Sequence, residues 1–435
     1  MNNISESNVV IINMLLYIAL SIYCILKYKW HNLSSLLSIL YSICAICGCL
    51  LFFFPLYDLT YSSNGTCTID GCLYLFFCNF LLIMSLCRIN IDECRQITSY
   101  DGRILKRITI FLCVVFTIKL LFDLPESIRF FFSGRDLADM RSELYGTNSS
   151  GSFFLIGLIT RMFGSAQILL LAISSLRLLV IKDFSSWDKY ALALYFALKL
   201  NVVLSVVSRG IVVFSMLELI VVFCLFHSYF TAHFKRIVVK YGLIIVPVAY
   251  MTFSAITYAR FGSSDEQSMN LATLRYAGES NLNFMALAYP DLNEPFHGYI
   301  QFSLYRRVLG MDYDDGLLRE GADVFNTYIQ QHYHYNNPTY IFHGLVGTFY
   351  MNWGKWLTLL ICAVIYLTLR RQRNSRSFST MSIIMAIFWG AFIGKGIFFG
   401  DYGSESGNLF FIYLIILYFY LSKHGHTVQL YNKKL

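Results

Sequence analysis

Apolar runs long enough to cross a bilayer recur along the chain, separated by short polar interruptions. A hydrocarbon core about 30 Å thick takes roughly 20 residues of helix. Helices are predicted near residues 9–26, 33–54, 73–87, 108–123, 153–180, 189–207, 211–230, 241–257, 345–369, 380–397 and 408–422. A membrane β-barrel would instead show segments of about ten residues alternating polar and apolar, which these continuous runs do not. The expected fold class is an all-α polytopic membrane protein of about 11 transmembrane helices, a single integral membrane domain over residues 1–435. No small-residue cleavage site follows the first run, so it is expected to stay as an anchor.

The polar interruptions alternate in charge. The segments "KYKWHN", "CRINIDECRQITSYDGRILKR", "HFKRIVVKY", "RRQRNSR" and the tail "SKHGHTVQLYNKKL" are basic, which assigns them to the cytoplasmic side. The amino-terminal "MNNISESN" and the segments "YDLTYSSNGTCTIDG" and "GDYGSESGN" are neutral or acidic and are assigned outside. An odd number of helices, amino terminus out and carboxy terminus in, satisfies every short connection. Two outside connections exceed what a turn needs, residues 123–152 and residues 258–342. Long connections on one face are where function concentrates. Apolar stretches such as "NLNFMALAYP" in the second are too short to span, and short interfacial helices are expected there.

Composition agrees with the pattern. At 57% hydrophobic and 14% charged residues, the chain is too apolar for a soluble globular domain. The net charge of +8 follows from basic cytoplasmic connections. With no reading module beside a basic patch, no nucleic-acid partner is expected. Most of the 12 cysteines lie within apolar runs and read as core. Cys67 and Cys72 lie in a polar connection and can close a disulfide if that connection faces an oxidising compartment.

Arg209 interrupts the apolar stretch "NVVLSVVSRGIVVFSML", where a charge at the bilayer centre would cost about 2.5–3.5 kcal/mol. If Ser208, Arg209 and Gly210 form the outer turn of a helical hairpin, that cost is relieved. Lys199 and Glu218 then lie at similar depth on the two arms. They can pair across the hairpin, or find partners elsewhere or on a substrate.

The outer half carries many cations: Arg135, Arg141, Arg161, Arg209, Arg260, Arg275 and Lys395. Guanidinium groups grip phosphate in bidentate fashion and stay charged, so such a set suits a lipid-linked pyrophosphate. Interfacial snorkelling or a loop salt bridge is the better explanation of any single one, and it is the number of them that favours the phosphate reading. The carboxylates of "MDYDDG", Asp312 to Gly316, lack the third ligand of a calcium loop. His332 and His334 lack a third metal ligand as well. No metal or cofactor is expected. His343 stands where the second long connection re-enters the membrane and suits a general base or a packing role.

Taken together, these features resemble the O-antigen polymerase (Wzy) family. The resemblance rests on the hydropathy profile, the two enlarged connections, and the Arg-x10-Gly spacing from Arg135 to Gly146. It rests also on the Ser208-Arg209-Gly210 turn, the segment Tyr276-Ala277-Gly278-Glu279, and "HGLVGTFYMNWGKWLTLL" after the second connection. It implies a membrane-embedded, metal-independent glycosyltransferase of the bacterial inner membrane, with periplasmic amino terminus and cytoplasmic carboxy terminus. Its substrate would be undecaprenyl-pyrophosphate-linked oligosaccharide, its surroundings membrane lipid, and its further partners a chain-length regulator and a flippase. In that setting Arg135, Arg141, Arg209 and Arg275 would bind the departing pyrophosphate. Glu279 or His343 would take the proton of the attacking hydroxyl. Tyr276, with Tyr299 and Tyr350, would stack on sugars. The second connection lacks the Arg-x10-Gly spacing. Two rival readings are an O-unit flippase, expected to have shorter connections and more charge within its helices, and an O-antigen ligase, which shares outer arginines and a His-bearing connection.

Overall fold

The computed structural model describes residues 4–53, 67–131, 154–206, 209–238, 277–289, 343–370, 376–398 and 403–430, with isolated positions at 240, 251, 274, 302, 304, 308 and 400. The described chain is mostly helical. Six of its helices are long and apolar enough to cross a membrane, consistent with a helical polytopic membrane protein.

The helices are α1 (Glu6–Tyr28), α2 (Leu33–Phe53), α3 (Ile69–Met84), α4 (Gly102–Phe131), α5 (Phe154–Phe163), α6 (Gln167–Ser175), α7 (Ser186–Val206) and α8 (Arg209–Leu225). There follow α9 (277–289), α10 (Gly344–Arg370), α11 (Thr380–Lys395) and α12 (Glu405–His424). Ten of the predicted spans find a helix at the expected place, with α5 and α6 sharing one. The predicted span at 241–257 lies outside the described residues apart from Met251. α4 starts six residues before its apolar run, so Arg103, Lys106 and Arg107 are helical. The chain divides into two compact units, whose boundaries fall inside α11 after Ala391 and inside α12 after Asn408.

In the first unit, α1, α2 and α3 close on small hydroxyl residues. Ser42 Oγ donates to the Tyr17 carbonyl at 2.7 Å and lies 2.7 Å from Ser21 Oγ. Asn79 Nδ2 donates to the Tyr17 hydroxyl at 2.7 Å. Away from water such bonds replace the hydrophobic effect as glue between helices, and small side chains let the backbones approach. Thr68 caps α3 by accepting from the Gly71 amide at 3.2 Å, which satisfies one donor of its first turn. The disulfide weighed for Cys67 and Cys72 is absent. Both thiols are free and buried, Cys72 lies 3.9 Å from the Val9 carbonyl of α1, and burial pushes the Cys67 thiol up to about 12.

In the second unit the hydropathy reading missed a feature. Three connections form a sheet, ordered β2-β1-β3, from β1 (Gln96–Tyr100), β2 (Ser377–Ser379) and β3 (His426–Gln429). β1 runs parallel to β2 and antiparallel to β3. β1 and β3 come from segments whose basic charge assigned them to one side, and β2 follows directly on a third such segment, residues 370–376. Beside the strands the Tyr229 hydroxyl donates to the Ile91 carbonyl at 3.3 Å, and within the first unit Asn32 Nδ2 donates to the Cys87 carbonyl at 3.2 Å. The Tyr100 hydroxyl donates to Asp183 at 2.7 Å, bringing the connection between α6 and α7 to the sheet. Burial, and then the bond to Asp183, raise the Tyr100 hydroxyl above its ordinary range.

The Lys199–Glu218 pair is present at 3.0 Å across α7 and α8, and the Tyr195 hydroxyl also donates to Glu218. α7 ends at Val206 and α8 opens at Arg209, so Arg209 and Gly210 are helical rather than turn residues, and Ser208 lies outside the described residues. A second ion pair was not anticipated. Arg177, in a π turn over Leu176–Ile181 that continues α6, is buried and donates from Nη1 to both oxygens of buried Asp188, at 2.8 and 2.9 Å. Asp188 also accepts from the Ser185 amide and hydroxyl at 2.7 and 2.8 Å, so its lone pairs are well used.

Candidate functional site

The first unit holds a concentration of buried polar side chains at the ends of α2, α3 and α11 that lie away from the connection between α1 and α2. It is assembled from α9, from the start of α10, and from the chain leaving α11. Glu279, Asn283, His343, Thr348, Asn352 and Lys395 are all buried there. Burying that many polar groups among apolar helices is costly unless each is hydrogen-bonded, so the sequence around them is built to satisfy them.

α9 comes close to α2 because both carry glycine at the crossing. A Cβ on Gly48 would stand 2.9 Å from the Gly278 carbonyl oxygen, and one on Gly278 would overlap the backbone of Cys47 and Gly48. Glu279 follows directly and is only 1% exposed. Asn283, one turn on, donates from Nδ2 to Glu279 Oε1 at 3.0 Å. The helix then widens into a π turn over Phe284–Ala288, a distortion common at functional sites. Phe284, Tyr289, Tyr74 of α3 and Tyr350 of α10 form a four-ring cluster with every pair of centroids between 5.4 and 6.1 Å. Lys355 Nζ donates to the Tyr289 hydroxyl at 2.8 Å.

The start of α10 is held by the chain after α11. The Gly344 amide donates to the Phe398 carbonyl at 3.0 Å and the Leu345 amide to the Gly396 carbonyl at 2.6 Å. Thr348 Oγ1 donates to the Gly344 carbonyl at 3.0 Å, accepts from the Gly400 amide at 2.8 Å, and lies 3.1 Å from His343 Nε2. The Thr348 hydroxyl thus links the imidazole to the start of α10 and to the chain after α11. Asn352 Nδ2 donates to the Thr348 carbonyl at 2.8 Å. α10 then breaks at Gly354, whose φ of 70° and ψ of −177° are non-helical. Residues Gly344 to Asn352 are buried throughout, whereas Trp356, Leu360, Val364 and Leu367 beyond the break are exposed. The apolar part from 355 to 370 is then a span of about 24 Å, and the part before the break is a short enclosed helix.

α9 and α10 meet at Gly347, where a Cβ would lie 2.9 Å from His343 Cβ and 3.3 Å from Phe284 Cδ2. The two segments carrying Glu279 and His343 thus fold into one unit and pack together, although 64 positions separate these residues in the chain. Arg135, Arg141, Arg275 and Tyr276 lie outside the described residues, as do Asp312, His332 and His334. Arg209 opens α8 in the second unit, and its side chain also lies outside them. Tyr350 belongs to the aromatic cluster. Asn283, Thr348 and Asn352 were not singled out in the sequence. The signal that marks them is i, i+4 spacing: Glu279 with Asn283, and Gly344, Thr348 and Asn352 along α10.

The arrangement supplies a buried carboxylate and a buried imidazole, groups whose chemistry is proton transfer. Among the described residues no group of three His, Cys, Asp or Glu side chains is placed to hold a metal. The chain matches no family model, no curated protein and no solved structure.

Proposed function

We propose that this protein is a membrane-embedded glycosyltransferase that polymerises lipid-linked polysaccharide repeat units. It would transfer a growing glycan from undecaprenyl pyrophosphate to the terminal sugar of a new lipid-linked unit. The observation that carries the proposal is the burial of Glu279 and His343 on the two segments flanking the long connection, which pack against each other at Gly347 within one unit. One of the two takes the proton of the attacking hydroxyl. Arg135, Arg141, Arg209 and Arg275 hold the departing pyrophosphate, and Tyr276 stacks on a sugar.

The topology proposed with it has 11 spans, amino terminus outside and carboxy terminus inside the bacterial inner membrane. Hydrogen-bonded strands share one side of a membrane, so an even number of crossings must separate any two segments joined at the sheet. Between Tyr229, bonded to Ile91, and Arg376, whose carbonyl accepts from Arg95 at 2.9 Å, the described residues contain one long apolar helix, α10. In the proposed topology the apolar segment at 241–257 would be the return crossing. By the positive-inside rule, the basic connections that flank the sheet would face the cytoplasm.

The test is deletion of the gene in its host, with the surface lipopolysaccharide run on a gel that resolves one repeat from many. Core carrying a single repeat is expected, because units are still flipped and ligated but not joined. Core with no repeat overturns the polymerase reading: polymer retained on the carrier indicates a ligase, and unextended units held inside indicate a flippase. Complementation with Arg135→Ala, Arg209→Ala or Arg275→Ala is expected to leave the single-repeat product at normal membrane levels of protein. Full extension by all three would sink the pyrophosphate clamp.

A further inference from the structure

Within the second unit, α4 and α7 leave a groove of about 440 Å³ between them, lined by Cys113, Val114, Thr117, Ile118, Trp187 and Tyr190. Its walls are mostly apolar; Ser186 also lines it, and the other two hydroxyls are occupied with each other, Thr117 Oγ1 lying 2.7 Å from the Tyr190 hydroxyl. A polar ligand therefore finds little to bond. Val114, Trp187 and Tyr190 are exposed, so the groove opens sideways along the helices. Trp and Tyr in this position mark the level where hydrocarbon meets headgroups.

The α4 face that lines the groove continues toward the sheet as a basic stripe. Lys106 and Arg107 stand seven residues before Cys113 and Val114, two helical turns and about 10.5 Å along the same face. Arg103 stands one turn further, and all three are exposed. On α7, Lys189 is exposed beside Trp187 and Tyr190. Nearby acids are already engaged: Asp188 is bonded to Arg177, and Asp183 accepts from Tyr100. Asp183 keeps its negative charge, as does Asp101, whose carboxylate accepts from the Arg103 and Ile104 amides at 2.9 and 3.1 Å, so two acids stand against the four cations Arg103, Lys106, Arg107 and Lys189. The headgroup layer of a bilayer is roughly 5–8 Å thick on each side. The cations thus stand at the depth of a phosphate when an acyl chain lies in the groove.

We propose that this groove seats the acyl chain of an anionic phospholipid from the leaflet next to the sheet, with Arg103, Lys106 and Arg107 taking its phosphate. The occupant is anionic rather than zwitterionic because the mouth carries an excess of positive charge, each cation near the surface being worth about a fivefold preference. The site is separate from the Glu279 cluster and does not depend on polymerase activity.

Trp187 is a built-in reporter. The intact chain is reconstituted in lipid nanodiscs containing equal fractions of phosphatidylglycerol and phosphatidylethanolamine, with brominated acyl chains on one or the other. Quenching of Trp187 is read as the difference between the native protein and Trp187→Phe. Several-fold stronger quenching by the brominated phosphatidylglycerol is expected, and Arg107→Gln should reduce that preference while thermal unfolding is unchanged. Equal quenching by both lipids means that ordinary annular lipid fills the groove, which overturns the proposal. Quenching by neither means that protein fills it, a second copy of this chain or another subunit, and overturns it too. A preference that persists in both Arg107→Gln and the triple variant lacking Arg103, Lys106 and Arg107 removes the phosphate assignment.

Discussion

The two units bury charge and polarity in different ways. In the second, acids and bases meet partners close in the chain: Arg177 with Asp188, and Lys199 with Glu218 across one hairpin. In the first, the polar cluster is gathered from α9, the start of α10 and the chain after α11, whose members are separated by tens of residues. A buried ion pair whose lone pairs are satisfied by its own neighbourhood holds helices in register and leaves little for a ligand. A cluster assembled from distant segments, with a glycine-thinned crossing and a broken helix beside it, is expensive to build. Such expense is characteristic of sites retained for chemistry.

If that contrast is right, variants in the two regions should fail in different ways. The largest effect is expected at the first cluster. Glu279→Gln and His343→Ala, whichever residue is the base, should bracket a loss of chain extension of about 10²–10⁴-fold, with denaturation curves close to the native ones. Extension rates are measured with purified lipid-linked repeat units. Native-like rates in both variants would remove the acid-base assignment and merge the two regions into one structural class.

Next comes Asp188→Asn, which strands the buried Arg177 guanidinium. It should destabilise by about 3–5 kcal/mol, seen as a lower unfolding midpoint and reduced membrane levels, while the surviving protein extends chains at the native rate per molecule. A specific activity that falls with stability unchanged would mean that this pair also serves chemistry.

Lys199→Met is expected to cost about 1–2 kcal/mol, since Lys199 is less enclosed and membrane polar contacts are worth less on average. Adding Glu218→Leu should recover part of that loss, because the stranded carboxylate goes with it. The readout is a double-mutant cycle on thermal unfolding, and strict additivity would show that the two side chains do not interact.

Tyr100→Phe should have the smallest effect, about 1 kcal/mol for one lost hydrogen bond. Its pH dependence has a defined sign. The folded protein holds the Tyr100 proton above the ordinary tyrosine value of 10.0, so the contribution is complete below pH 10 and is lost as pH rises toward the folded value. The native protein should lose stability on that alkaline limb, and the phenylalanine variant should lose less.

Much of the fold was legible because a bilayer reduces helix prediction to the length of an apolar run. The hairpin around Arg209 was legible for a related reason: Lys199 and Glu218 are nearly equidistant from the turn, so two antiparallel helices must bring them level. Arg177 and Asp188 escaped notice because the π turn at Leu176–Ile181 and the bend before α7 set their approach, and neither has a periodic signature. The sheet escaped as well, since β2 and β3 are three and four residues long and gain their pairing only from partners hundreds of positions away.

The sequence by itself determined the helical membrane class, the order of the described apolar helices and the grouping of the connections by charge. These follow from local hydropathy and charge, each read against a solvent boundary. Tertiary structure alone decided that Glu279 and His343 belong to one buried cluster, that α10 breaks at Gly354, and that the basic connections are knitted into a sheet. Those depend on which helix faces approach closely enough to exclude lipid and which polar groups must then satisfy one another, and neither is encoded in any single stretch of chain.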